Sequence, residues 1–77
     1  MITEGFIYLG AHELREKHPQ LRKGQSIFNY VDMNPRIFGE AARIAQFVYG
    51  VDCFYDDKQI SAFVNTVLDI VNNQFID

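Results

Sequence analysis

The sequence has few of the residues with which small proteins cross-link themselves. Its one cysteine, Cys53, has no partner for a disulfide within the chain. With His12 and His18 it makes three soft metal ligands, in a spacing that matches no zinc-finger pattern. We therefore exclude the disulfide-rich secreted mini-domains and expect no metal and no cofactor. One unpaired cysteine also predicts a reducing, cytoplasmic location.

Long hydrophobic runs and enzyme motifs are missing as well. No apolar run approaches the roughly 20 residues that span a bilayer, and the N-terminal residues lack the basic start and apolar stretch of a signal peptide. We expect a soluble protein with no membrane partner. The sequence has no Walker loop, dinucleotide fingerprint or serine elbow, which predicts that the protein is not an enzyme.

Aromatic residues are plentiful for so short a chain. Of 77 residues, 48% are hydrophobic and 14% are aromatic, with seven Phe, four Tyr and no Trp. A domain of this size buries only roughly 60% of its unfolded surface, so its stability depends on dense packing. The aromatic surplus either fills the core or covers a partner, and a second copy of the chain is one such partner.

The net charge of −3 is unevenly distributed. Residues 15–43 carry six Lys and Arg against three acids, whereas residues 44–77 carry one cation against five acids. The acidic total argues against nucleic-acid binding, which depends on a basic surface. One DNA-binding possibility is a helix-turn-helix protein that uses the second and third segments. It is disfavoured further by Asp32 and Glu40, which lie near its presumed reading helix.

Pro19, Pro35 and Gly50 divide the chain into four segments, each with helical spacing of apolar residues. No segment alternates as a strand does. The sequence therefore predicts an all-α fold, a compact bundle of three to four short helices in one domain over residues 1–77.

The first two segments have recognisable ends. Thr3 is the predicted N-cap of a helix over residues 3–17 that stops before Pro19. In this helix Gly10, next to Ala11, either weakens the helix or permits close packing against a neighbour. The second segment, residues 19–32, predicts a regular helix that begins near Gly24 or Gln25.

The third segment predicts one continuous helix. Asn34 is the N-cap, Pro35 is the first helical residue, and Gly50 has the position of a left-handed C-cap. Its apolar residues follow the spacing of one buried face: Ile37, Phe38, Ala41, Ile44, Ala45 and Val48.

The fourth segment begins with a capping-box pattern, Asp56 followed by Gln59. Its apolar stripe runs from Ile60 to Phe75 and predicts a second buried helix face. The intervening members of the stripe are Phe63, Val64, Val67, Leu68 and Val71.

A polar cluster surrounds the predicted start of the second helix. It consists of Arg22, Lys23, Gln25 and Asn29. Free N–H groups, a glycine and two cations can together hold a phosphate or carboxylate, with Tyr30 or Tyr55 stacking on a nucleotide. The alternative is structural: a glycine turn, two side chains that satisfy backbone groups, and solvated cations.

Four aromatic residues are not explained by the apolar stripes: Tyr8, Tyr30, Phe47 and Tyr49. Tyrosine is favoured where one end of the ring is buried and the other is wet, as at interfaces. Either these rings close the boundary of a small core, or they mark a binding face.

Asp52, Asp56 and Asp57 form an acidic cluster. Paired carboxylates can bind a cation, but the spacing lacks the pattern of a calcium loop, and Asp56 as a helix cap with Asp57 in the first turn already explains the acids. Asp52 could instead pair with Arg22 or Arg43. Cys53 is predicted to be a packed residue rather than a nucleophile.

Two stretches, LREKHPQLRKGQSIFN at residues 14–29 and DCFYDD at residues 52–57, resemble a group of short bacterial and bacteriophage proteins. The pattern of that group runs approximately L-R-x-x-x-P-x-x-R-x-G-Q-x-[LI]-F-N and later D-x-F-Y-x-D. The resemblance implies a small accessory protein of phage type, for example one that blocks a host or defence factor, and it implies no catalytic residue. The group often has proline at the position of Cys53.

These observations favour a non-enzymatic helical protein that acts by stoichiometric contact with another protein. The alternative from another class is a sponge for a small anionic ligand, such as a nucleotide, at residues 22–29. The candidate binding residues are Arg22, Lys23, Gln25, Asn29, Tyr30, Tyr49 and Tyr55.

Overall fold

The computed structural model describes residues 1–73, which form α-helices and no strand. The predicted all-α fold is confirmed. The helices are α1 (Glu4–Lys17), α2 (Lys23–Asp32), α3 (Pro35–Phe38), α4 (Ala41–Phe47) and α5 (Ile60–Asn73), with a 3-10 turn at Asp57–Gln59 leading into α5. None of these helices is long and apolar enough to cross a bilayer.

Helix α1 begins and ends as its sequence predicts. The Thr3 hydroxyl accepts a hydrogen bond from the Phe6 N–H at 3.3 Å and so caps the first turn. The last turn closes at His18, whose N–H donates to the Leu14 carbonyl at 3.0 Å, immediately before Pro19. Proline disfavours a helical conformation in the residue before it, so α1 stops here.

Gly10 lets α2 approach α1 closely. A Cβ at Gly10 would collide with the ring of Tyr30, which lies directly on the helix backbone. The same ring packs on Phe38 with 5.8 Å between centroids. Of the two roles predicted for Gly10, close packing is the one that the structure shows.

The third predicted helix is broken in two, so that prediction is wrong. Gly39 has φ +59° and ψ −130°, a conformation that ends α3 after Phe38. The chain resumes a helix at Ala41 in a new direction. L-residues are excluded from this backbone conformation, and the glycine therefore makes the break possible.

The break changes which side chains of this segment are buried. The structure buries Phe38, Ala41 and Ala45, as predicted. Ile44 is half-buried, and Ile37 and Val48 are exposed. One uninterrupted helix would have placed all six on one face, whereas two short helices with different axes cannot.

Two end signals of this segment act differently from the prediction. The Asn34 side chain does not cap α3; its amide donates to the Tyr30 carbonyl at 2.6 Å and ties α3 to the end of α2. Gly50 is left-handed as predicted, with φ +71°, but α4 ends three residues earlier at Phe47.

The capping box predicted before α5 forms only in part. The Asp56 carboxylate accepts from the Lys58 N–H at 3.0 Å and caps the 3-10 turn. The Gln59 side chain accepts instead from the Asp52 N–H at 2.9 Å, which fixes the preceding loop. Phe75, the predicted end of the α5 stripe, lies outside the described residues.

The core lies where α5 packs against α4 and α1, and where α2 packs against α1 and α4. Helix α5 buries Phe63, Val64, Val67 and Val71, as its stripe predicts. The bundle closes where Asn72 exchanges two hydrogen bonds with the backbone of Ile2, at 3.0 and 2.9 Å. This pairing joins the start of the chain to the last turn of α5.

Candidate functional site

The polar cluster at the start of α2 binds groups of the chain itself. The Gln25 side chain accepts from the Arg22 N–H at 2.9 Å. The Asp57 carboxylate accepts from the Gly24 N–H at 3.1 Å and lies 3.6 Å from the Arg22 guanidinium. An anion does sit at this helix start, and it is the carboxylate of Asp57.

Arg22 also holds the loop before α5. Its guanidinium donates to the Phe54 carbonyl as well as pairing with Asp57. The two stretches that carry the resemblance, residues 14–29 and 52–57, therefore lie against each other. The contacts of Arg22 with Phe54 and Asp57 join α2 to this loop.

The remaining predicted members of the cluster point elsewhere. Lys23 lies beside a groove between α1 and α2. Asn29, one turn after Gln25, borders two shallow cavities of 170 and 200 Å³ on other sides of α2. The structure thus does not bring Arg22, Lys23, Gln25 and Asn29 into one pocket.

Asp52 pairs with neither arginine that we predicted for it. Its carboxylate accepts from the Gln46 side chain at 3.0 Å and from the Phe54 N–H at 2.9 Å. The arginines have other partners: Arg22 pairs with Asp57, and Arg43 forms a two-point contact with Asp32 at 3.1 and 3.2 Å. The prediction is wrong because Asp52 stabilises its own turn.

The Cys53 thiol is shielded from solvent and donates to the Gly24 carbonyl at 3.3 Å. Burial, with a smaller contribution from the negative charge of Asp52, raises its pKa to about 12. The thiolate is the reactive form, and near neutral pH it is not populated. Within residues 1–73, no three side chains of His, Cys, Asp or Glu converge as a metal site needs.

Two of the four unexplained aromatic residues complete the core boundary. Tyr30 lies on Gly10, and Tyr8 is half-buried against the core. Burial is the main reason that the pKa of each phenol is raised, and nearby Glu4 and Glu13 add to the effect. These two rings therefore belong to the packing of α1 on α2.

The other aromatic candidates, Phe47, Tyr49 and Tyr55, are exposed at two places on the surface, and Phe6 on α1 is also partly exposed. Tyr55 is 77% exposed, and its ring packs edge-on against Phe54 with centroids 4.9 Å apart. At the end of α4, Phe47, Val48 and Tyr49 are 73%, 71% and 61% exposed. We call these last three residues the α4 edge.

The α4 edge reverses the usual arrangement of an amphipathic helix. Helix α4 turns Ala41, Ala42 and Ala45 into the core and leaves Phe47 and Val48 outside. Small residues let α4 sit close to its neighbours, so its large residues are not needed to fill the core. An alanine face at helical spacing, 41-42-45, is a signal in the sequence that could have revealed this.

A groove of 580 Å³ runs beside the α4 edge between α4 and α5. Ile44, Tyr49 and Ile70 supply its apolar lining. Its polar lining comes from Thr66, Asp69 and Asn73. Sequence reasoning identified Tyr49 as a candidate but missed this groove, because it forms only where two helices meet.

Over residues 1–73, fold and surface together define a small all-α protein whose α4 edge is apolar and exposed. No family model, curated protein or solved structure matches this chain. The resemblance to short bacterial and phage proteins therefore remains a prediction from the residues quoted above.

Proposed function

We propose that this protein is a non-enzymatic binding protein that acts by stoichiometric contact with another protein through the α4 edge. One observation carries the proposal: α4 buries alanines and exposes Phe47 and Val48, with Tyr49 beside them. Contiguous exposed apolar side chains on a small protein are typical of interaction sites.

Folding leaves most of the Phe47, Val48 and Tyr49 side chains in contact with water. Burying one large apolar side chain contributes about 1.5–3 kcal/mol. Folding gains little of this free energy from Phe47, Val48 and Tyr49. Most of it is therefore available when a partner buries these side chains. Phe and Tyr are also among the residues enriched in protein interfaces, where they anchor binding.

The groove next to the α4 edge indicates what the partner presents. Its apolar lining of Ile44 and Ile70 suits an apolar side chain, and Asp69 at its border suits a lysine or arginine. Residues 44–77 carry five acids and one cation, which adds attraction for a basic surface. The proposed partner is a protein with an apolar anchor ringed by basic residues.

The biological setting in this proposal comes from the resemblance. Short phage proteins of that kind are accessory proteins, and the target would be a host or defence protein. A cytoplasmic setting agrees with a single cysteine that is buried as a thiol. A second copy of the chain is an alternative occupant of the same edge.

The test compares tagged versions of the chain in a pull-down from bacterial lysate. The wild-type chain should recover one protein in stoichiometric amount, and the double variant Phe47→Ser/Tyr49→Ser should lose it. Leu9→Ser is the matched control, because Leu9 lies on α1, is exposed to a similar degree and does not line the groove between α4 and α5. It should recover the partner unchanged.

Two results would contradict the proposal. One is a purified protein that turns over a substrate while no stoichiometric partner is recovered. The other is a double variant that retains every partner of the wild type. Light scattering on the purified chain tests whether a second copy of the chain is the partner. A dimer that the same double variant converts to a monomer would show that it is.

A further inference from the structure

A second groove lies between α1 and α2, with a volume of 390 Å³. We call it the α1–α2 groove. Its floor and one wall are apolar, from Ala11, Ile27 and the ring of Tyr8, and its polar rim carries His12, Arg15 and Lys23. No acidic residue lines it.

We infer that the α1–α2 groove binds a small organic anion, a compact apolar or aromatic body that bears one phosphate or carboxylate. Ligand pockets usually measure about 300–1,000 Å³, and this groove lies at the small end of that range. The size therefore limits the ligand to roughly one ring with its charged group.

The charge on the rim is available to a ligand. Among residues 1–73, Arg22 and Arg43 pair with Asp57 and Asp32, whereas Arg15 and Lys23 form no ion pair with a carboxylate. Two cations without a counter-ion thus border one groove. An anion placed there gains from both, and an anion at Arg22 would have to displace Asp57.

The structure orients the Arg15 guanidinium and the backbone of Lys23 before a ligand arrives. The Nε–H of Arg15 donates to the Leu21 carbonyl at 3.1 Å, which orients the guanidinium and leaves its other N–H groups for a ligand. The Ser26 hydroxyl donates to the Lys23 carbonyl at 2.6 Å and fixes the backbone that carries the lysine. Such preorganisation lowers the entropic cost of binding.

His12 has a smaller role at the rim. Its Nε2 lies 3.9 Å from the Glu16 carboxylate, so a protonated His12 already has a partial counter-charge. Arg15 and Lys23 are therefore the two residues that hold the anion. Ala11 and Ile27 are buried and close the floor of the groove, so the half-buried ring of Tyr8 supplies most of its apolar contact area.

The experiment titrates the 15N-labelled protein with phenyl phosphate and follows the amide signals by NMR. We expect saturable shifts at residues around the groove, at Ala11, Arg15 and Lys23. Lys23→Gln and Arg15→Gln should each weaken binding about tenfold, the loss of one charge-assisted hydrogen bond. Lys17→Gln is the matched control, an exposed lysine of α1 outside the groove, and should change affinity by less than about twofold.

Three further ligands and one further variant separate the contribution of the negative charge to binding from that of the ring. Benzyl alcohol should bind more weakly than phenyl phosphate because it has no charge, and inorganic phosphate more weakly because it has no ring. Benzoate should bind at the same amides, since the groove recognises the anion and not phosphorus. Arg15→Lys keeps the charge and should weaken binding less than Arg15→Gln.

Several outcomes would overturn the inference. Absence of saturation at millimolar phenyl phosphate would mean that there is no site. Equal affinity for benzyl alcohol would show that the cations are not used, and equal affinity for inorganic phosphate would show that the apolar floor is not. An equal effect of Lys17→Gln and Lys23→Gln would reduce the binding to general attraction by positive charge.

Discussion

Gly24 and Cys53 are in direct contact. The Cys53 thiol lies 3.3 Å from the Gly24 carbonyl oxygen, and the carbonyl of Cys53 occupies the space that a Cβ on Gly24 would need. Through this contact the start of α2 and the loop before α5 pack as one unit.

Gly24→Ala should destabilise the protein by about 1–3 kcal/mol, as overpacking does, because the added methyl group meets the backbone carbonyl of Cys53 as well as the Asp57 carboxylate. Urea denaturation followed by circular dichroism measures the change. Gly5→Ala is the matched control: the nearest atom to its added Cβ is Thr3 Oγ1 at 3.8 Å. It should stabilise by up to about 1 kcal/mol, since alanine is the better helix former. A Gly24→Ala protein as stable as wild type would contradict the close approach.

Asp57→Ala should cost more stability than Asp57→Asn. Alanine removes both the acceptor for the Gly24 N–H and the ion pair with Arg22, a loss of about 1–2 kcal/mol. Asparagine keeps an acceptor and loses only the ion pair, which is half-exposed and contributes less than about 1 kcal/mol. Both variants are compared with Asp69→Ala, an exposed acid of α5, by urea denaturation. Equal losses for the two Asp57 variants would mean that the bond to Gly24 contributes nothing.

The Cys53 thiol should not react with a thiol reagent in the native protein at pH 8. Its pKa of about 12 keeps it protonated, and the side chain is buried. Reaction should become complete when urea unfolds the chain. Absorbance with Ellman's reagent follows both states, and full reaction of the native protein on mixing would contradict the burial.

The same pKa predicts how stability depends on alkaline pH. The folded pKa is raised above its ordinary value of 9.0, so the contribution to stability is complete below pH 9 and is lost as pH rises toward about 12. The free energy of unfolding should therefore fall with pH in this window. Cys53→Ala should reduce the slope, and an unchanged slope would assign it to other groups such as Tyr8 and Tyr30.

Gly39→Ala should destabilise the protein by about 1–3 kcal/mol, because alanine at φ +59° and ψ −130° is strained. Glu40→Ala, at the next and exposed position, should have little effect. Urea denaturation of both variants makes the comparison. Unchanged or increased stability in Gly39→Ala would indicate one continuous helix over α3 and α4, as the sequence alone predicts.

Phe47→Ser/Tyr49→Ser should leave stability within about 0.5 kcal/mol of wild type, since both side chains are mostly in solvent. Phe63→Ala should cost about 3–5 kcal/mol, because Phe63 is fully buried in the core. Thermal unfolding of the three proteins provides the test. A large loss in the double variant would show that the α4 edge serves the fold rather than a partner.

Features that depend on local sequence, such as helix caps and the buried face of one helix, were the most predictable. Thr3 as a cap, the stop before Pro19, and the buried stripe of α5 depend on neighbours within a few residues, so local spacing reveals them. The site was less predictable. Arg22 and Asp57 are 35 positions apart in the chain, and only the packing of the loop on α2 brings the carboxylate to the helix start.

By itself, the sequence determined that the chain is helical, where α1 begins and ends, where α3 begins, and that the chain has an aromatic surplus and a basic middle. The tertiary structure decided which aromatics remain outside. Gly39 redirects the chain and α4 packs through alanines, so Phe47 and Tyr49 face solvent while Tyr30 is drawn onto Gly10. Helical periodicity specifies which residues share a face. The direction of that face depends on contacts between residues far apart in the chain, which no local pattern encodes.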